Sequence, residues 1–366
     1  MRVASRLKPF MVIILIFLAV GMAGCAVSHT ASVSMDSGVS QVQQEVELGA
    51  KKDQPNQEWP GPHAQSSATQ NGITISVTAG IDNLTKMGEW FPVTVIIENS
   101  GEPVKGHVIV GPLAVDNQGA TYRQEADLGH GAKKRLLFIL SNQFGNAPIE
   151  AAFISKNKTL VKVVSRHTQL TPEDKLIIAI TDDNANRQFF KDITADRPAI
   201  KVSYMDQHDL PFRDNALAPA SFVVISGAST GSLTKDQQGA LSNWVASGGH
   251  LIVCGGPGWN KSIAGLPKEL LPVQSSGIKT LSSVGPIDDF LGVAAGTLPA
   301  SPIPVTSASK IQGKVIAGDK SDPLVVTRDF GLGKVTWIAL DLTMEPFTSW
   351  RVNPTFWNRI TQTQPI

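Results

Sequence analysis

One stretch constrains the fold of this chain more than any other. Residues 221–256 open with the apolar run Phe222-Val223-Val224-Ile225, closed by the small residues Ser226 and Gly227. A polar loop follows, then an amphipathic segment over 235–247, then the apolar run Leu251-Ile252-Val253, closed by Cys254, Gly255 and Gly256. Two short unbroken apolar runs flanking a helical period predict buried strands joined by a crossover helix. The helix is delimited at both ends. Thr234 offers an N-cap oxygen, and Gln237 three residues on completes a capping box. Ala240, Leu241, Trp244 and Val245 share one face. Gly248 and Gly249 stand where helices end in a left-handed residue.

Elsewhere the hydrophobic period divides the chain. Over residues 71–170 it is two: Ile73, Ile75 and Val77 alternate with Thr74, Ser76 and Thr78. About seven short strands separated by turn clusters such as Asn99-Ser100-Gly101 predict an antiparallel β-sandwich. Residues 170–174, with Pro172, read as a hinge. Over 171–366 strands alternate with helices: a strand over 176–180 ending at Asp182-Asp183, a helix over 184–193, a strand over 200–205, then the unit described first. That order predicts a three-layer α/β domain on a mainly parallel sheet. Residues 260–322, rich in Ser, Gly and Pro, are expected to make an irregular excursion over one sheet edge, with a small strand or two. Gly331 and Gly333, between two apolar runs, signal a hairpin.

The amino terminus is an export signal in form. Arg2, Arg6 and Lys8 precede an apolar core over 10–20, and Met22-Ala23-Gly24-Cys25 follows. The last four residues resemble the bacterial lipobox, with Met22 in place of the usual Leu. That resemblance implies a signal peptide over 1–25 and a lipid on Cys25 that anchors the chain at the outer face of the cell membrane. An uncleaved apolar anchor is the alternative, and either one places the bulk of the chain outside the cytoplasm. Residues 26–70, rich in Ser, Gln, Asn, Asp and Pro, read as a flexible tether. With 32 Lys and Arg against 31 Asp and Glu, the chain lacks the basic excess of a nucleic-acid binder. Of its two cysteines one is taken by the export site, so neither a disulfide nor a thiolate metal site is expected.

Two families are resembled. The stretch from Trp90 to Gly101 looks like the immunoglobulin-like modules of bacterial surface proteins. The strand into Ser226-Gly227, the helix, the Gly248-Gly249 stop, the strand into Cys254-Gly255-Gly256 and the closing run through Phe330-Gly331-Leu332-Gly333 to Asp341 resemble the class I glutamine-amidotransferase-like (flavodoxin-like) superfamily. They look most like its exported, non-catalytic branch. In active members a Cys on a sharp turn is deprotonated by a later His. Cys254 sits at about that place, but none of the seven His follows His250. His250 lies four strand residues away, more than about 10 Å. A thiol without a base has no route to activation.

The carboxyl ends of parallel strands form a ligand crevice. Ser226, Gly227, Gly255 and Gly256 are therefore ligand-binding candidates, joined by Asp182, Asp183 and Asp341, whose carboxylates suit a hard cation. A helix cap at Asp183 or Asn184 is the preferred reading of the first pair. No cofactor is expected. The reading is a non-enzymatic, membrane-anchored binding or assembly module of the cell envelope with an envelope protein as partner. Its rivals are a thiol hydrolase using Cys254 with a base such as His208, and a small-ligand or metal binder at the crevice.

Overall fold

The computed structural model describes residues 45–47, 65–113, 120–142, 145–182, 190, 199–294, 296 and 302–361. The leader with Cys25, Asp183 and most of the helix expected over 184–193 lie outside these residues. Phe190 is described, and it is buried.

Alternating sequence builds the first half. Strands β1 (Glu45–Glu47), β2 (Ser66–Gln70), β3 (Ile73–Ala79), β5 (Trp90–Asn99) and β8 (Lys133–Ser141) form one sheet in the order β1-β8-β5-β3-β2, with short β4 (Leu84–Lys86) set apart. Strands β6 (His107–Pro112), β7 (Tyr122–Glu125), β9 (Ile149–Ser155) and β10 (Lys158–Ser165) form a second, in the order β10-β9-β6-β7. Every pairing in both sheets is antiparallel. Ile75, Val77, Val95 and Phe138 of the first meet Val108, Val110, Phe153 and Val161 of the second in one core. Each such side chain contributes roughly 1.5–3 kcal/mol on burial. Two pieces of the expected tether are strands. β1 pairs with β8, and β2 turns into β3 through Asn71 (φ 54°) and Gly72 (φ 76°). Two successive left-handed residues give the turn that matches strand twist.

Strand β11 (Thr168–Leu170) pairs with β4 and leads into a seven-stranded sheet. This sheet holds β12 (Lys175–Ile180), β13 (Ile200–Met205), β14 (Phe222–Ile225), β15 (His250–Cys254), β18 (Lys314–Gly318), β19 (Pro323–Phe330) and β20 (Gly333–Ile338). Its order is β13-β12-β14-β15-β20-β19-β18. Strands β16 (Gln274–Leu281) and β17 (Ile303–Ser309) make a separate hairpin. The described α-helices are α1 (Lys235–Ala246), α2 (Trp259–Ile263), α3 (Gly285–Leu291) and α4 (Asn353–Thr361). None is long and apolar enough to cross a membrane.

The expected fold class, a sandwich followed by a three-layer α/β domain on a mainly parallel sheet, is corrected here. Among the described residues strand far outweighs helix, and apart from the two-stranded parallel β4–β11 pair the sheets are antiparallel or mixed. The seven-stranded sheet runs parallel from β13 to β20 but antiparallel across β20, β19 and β18. Among the described residues only the β14–β15 crossover carries a helix longer than nine residues. From β13 to β14 the chain makes two 3-10 turns, Gln207–Asp209 and Asp214–Leu217. The way from β15 to β20 carries two short helices and four strands among the described residues, and the small strands expected in the irregular stretch are the β16–β17 hairpin and β18. Polar sequence left the bounds of that hairpin unmarked: β16 alternates between exposed and half-buried positions and so carries little apolar signal.

Local signals did set α1. Thr234 accepts from the Gln237 backbone N–H, the Gln237 amide oxygen accepts from the Thr234 N–H, and Gly248 follows with φ 123°. Leu241, Trp244 and Val245 pack on one face of the sheet with Leu251 and Val253. Ile252 and Cys254 point to the opposite face, beneath Phe356 and Trp357 of α4.

Candidate functional site

The ends of β12, β14, β15 and β20 carry the residues singled out from sequence, and the structure divides them. Asp182 accepts from the Ser229 hydroxyl at 2.7 Å and from the Ser229 N–H at 3.2 Å, with the Lys261 ammonium 3.4 Å away. Asp341 accepts from Ser226 Oγ at 3.3 Å and from the backbone N–H and hydroxyl of Thr343. Each carboxylate is thus engaged by neighbouring loop residues, Asp182 by Ser229 and Lys261, Asp341 by Ser226 and Thr343. Among the described residues no three His, Cys, Asp or Glu side chains gather as metal ligands.

The glycines are structural. The Gly255 N–H donates to Ile338 O at 2.7 Å and the Gly256 N–H to Ala339 O at 3.0 Å, so neither is open to an anion. A Cβ on Gly256 (φ 76°) would stand 2.5 Å from the Asp341 Cβ. Glycine is needed there for close passage of β15 past the end of β20. Gly227, with φ 63°, turns the chain after the buried Ser226.

Cys254 is 1% exposed. Burial pushes its thiol far above the ordinary range, the Asp341 carboxylate adds to this, and a hydrogen bond with Ser226 offsets it in part. His250 gives no base. It occupies the opposite end of β15, hydrogen-bonded to Thr336 Oγ1 at 2.8 Å and packed on Phe222. Burial lowers its pKa to about 3. His208 lies on the turn that Gln237 holds against α1, on the other face of the sheet from Cys254.

A second place went unseen in the sequence. The outer face of the first sheet, away from its core, is covered by the segment after β13. Between them lies a cavity of about 360 Å³. One wall is Pro92 and Thr94 of β5 with Arg135 and Leu137 of β8. Facing it are Ser203, Tyr204 and Met205 at the end of β13, with Phe212 beyond, and the first turn of α1 closes the side. Arg135 reaches across and pairs with Asp209 at 2.6 Å, both side chains largely buried at 20% and 15% exposure. Desolvation pushes the Asp209 carboxyl up, against the pull of the Arg135 guanidinium. Gln237 fixes the turn, donating to Leu210 O at 2.7 Å and His208 O at 3.3 Å. Strand alternation assigns Pro92, Thr94, Arg135 and Leu137 to the non-core face, which by itself reads as solvated. Pro92 and Ile96 of β5 with Leu137 and Ile139 of β8, apolar on that face, are the sequence hint of a cover.

Residues 72–171 match a family model described as "Domain of unknown function (DUF8726)". No curated protein matches. Among solved structures, the chain is similar to the exo-beta-1,4-mannosidase Op5Man5 from Opitutaceae bacterium strain TAV5, with 12% identity and a TM-score of 0.31 over 51% of this chain and 35% of that one. It is also similar to the Pseudomonas fluorescens alkylpurine DNA glycosylase AlkC, with 14% identity and a TM-score of 0.19 over 26% of this chain and 30% of that one. For a beta-glucosidase from Listeria innocua the figures are 12% and 0.20, over 27% of this chain and 16% of that one. The chain thus spans about a third or less of the length of each, and likeness at this level carries no functional argument.

Proposed function

We propose that this chain is a non-catalytic binding or assembly module of the cell envelope, held at the outer face of the membrane by a lipid on Cys25. One observation carries the non-catalytic part. The cysteine at the place where the resembled superfamily keeps its nucleophile is sealed in the core, faces a carboxylate that disfavours its thiolate, and has His250 at the wrong end of its strand. Thiol catalysis needs the opposite surroundings: partial exposure, a nearby positive group and a base. The anchoring part rests on the Met22-Ala23-Gly24-Cys25 sequence after its apolar core.

Both parts are tested on the full chain produced in a bacterium fed an alkyne-tagged fatty acid. Tag on the wild type and none on Cys25→Ser is the expected result; an untagged wild type removes the anchor. Iodoacetamide at pH 7.5 should leave Cys254 unmodified until denaturant is added. Stoichiometric alkylation of the native protein would restore the hydrolase.

A further inference from the structure

We propose that the cavity between the outer face of the first sheet and the 203–212 segment binds a small organic cation, an ammonium group on a compact and partly apolar body. This deepens the binding-module reading, on which it rests, by giving the module a place and a ligand chemistry.

Size comes first. About 360 Å³ falls in the range of ordinary small-molecule sites, roughly 300–1,000 Å³. Charge comes next. Asp82, Asp209 and Asp236 line the cavity against one guanidinium, Arg135, and one imidazole, His208. The guanidinium is already paired with Asp209 at 2.6 Å. A concave wall with an excess of carboxylates concentrates cations and repels anions. The third observation is a buried group with nothing to bond. Ser203 is 1% exposed, lines the cavity, and its hydroxyl has no hydrogen-bond partner among the described residues. Buried hydroxyls are ordinarily satisfied, and an exception points to a missing partner. An ammonium presents donors and no acceptor, which suits a hydroxyl oxygen beside carboxylates. The remaining wall fits the body of such a ligand: Leu137 and Met205 are apolar, and Phe212 supplies an aromatic ring of the kind that attracts a cation.

The site is assembled from distant parts of the chain by contacts already described. β13 brings Ser203 and Met205 to the outer face of the first sheet, the Arg135–Asp209 pair ties the two together, and Gln237 holds the turn that carries Asp209.

The test is titration calorimetry on the full chain in nonionic detergent with two matched pairs of probes, benzylamine against benzyl alcohol and glucosamine against glucose. At least one cation should bind at least about tenfold more tightly than its neutral partner, with the affinity falling severalfold as salt rises to about 0.5 M. Ser203→Ala and Asp82→Asn should each weaken that binding about fivefold or more. Should Asp82→Asn fail to fold, Asp236→Asn replaces it, because Asp236 is exposed at the start of α1 and holds no core contact. Equal binding of charged and neutral partners, no binding of either cation, or unchanged affinity in folded variants would each overturn the proposal. Loss of cation binding alongside lipid on Cys25 and an unreactive Cys254 removes this inference alone. An active thiol or an unlipidated Cys25 removes the parent reading instead.

Discussion

Replacing Gln237 by alanine removes a side chain that uses both ends of its amide. Its nitrogen donates to the buried Leu210 carbonyl at 2.7 Å, and its oxygen accepts from the Thr234 N–H at 2.9 Å. The first loss leaves a buried acceptor unmet, about 1–3 kcal/mol. The second frees an N–H at a helix end that water reaches, about 0.5–1 kcal/mol. Alanine's better helix propensity returns a few tenths. The net is a destabilisation of roughly 2–3 kcal/mol, read from urea unfolding followed by tryptophan fluorescence. Thr234→Ala, which removes only the cap, should lose about 1 kcal/mol. The double variant should lose less than the sum by about 0.5–1 kcal/mol, because the two side chains serve one reciprocal box. Gln237→Glu retains the acceptor but sets a carboxylate oxygen against the Leu210 carbonyl, so it should be at least as damaging at neutral pH. A loss below about 0.5 kcal/mol for Gln237→Ala, or strict additivity with Thr234→Ala, would refute the claim that this residue clamps the 207–210 turn onto α1.

Two glycines should respond in opposite directions. Gly256→Ala sets a Cβ 2.5 Å from the Asp341 Cβ at φ 76° and should abolish soluble expression or lower Tm steeply. Gly239→Ala fills open space on α1 and should stabilise by up to about 1 kcal/mol in the same urea assay. Acid should act through His250. Held neutral by burial with a pKa of about 3, against 6.5 when unfolded, it takes up a proton on unfolding across that window. Its contribution is complete above about pH 6.5 and lost as pH falls toward 3, on the order of 3 kcal/mol by pH 4. His250→Gln should flatten this part of the stability–pH profile; an unchanged slope would remove the assignment. Asp209→Ala removes the Arg135–Asp209 ion pair and should lose about 1–3 kcal/mol, whereas the double variant with Arg135→Leu should recover part of that loss in a double-mutant cycle.

The candidate crevice shows what sequence pattern can and cannot give. Ser226, Gly227, Gly255, Gly256 and Asp341 do gather at one end of the parallel strands, as two apolar runs around a helix imply. Their availability was not legible. The Gly255 and Gly256 N–H groups go to the Ile338 and Ala339 carbonyls, and the Asp341 carboxylate goes to Ser226 and Thr343. Apart from Thr343, two residues on, these partners lie some eighty residues or more away in sequence, beyond any local motif. One signal was present and unread: Asn71-Gly72, two left-handed residues just past the expected tether, make a hairpin of β3 with β2, which lies within it.

By itself the sequence determined what is decided within a few residues: where α1 begins and ends, which side chains of each strand are apolar, and that no histidine follows Cys254. These follow from caps, two-residue alternation and chain order, all local quantities. Only the tertiary structure decided that β18 and β19 run against their neighbours, that the outer face of the first sheet is covered, and that Ser203, Arg135 and Asp209 meet around one cavity. A strand's own residues bury the same faces whichever way its neighbour runs. A wall built from residues 78 to 237 exists only once long-range packing has brought its parts together.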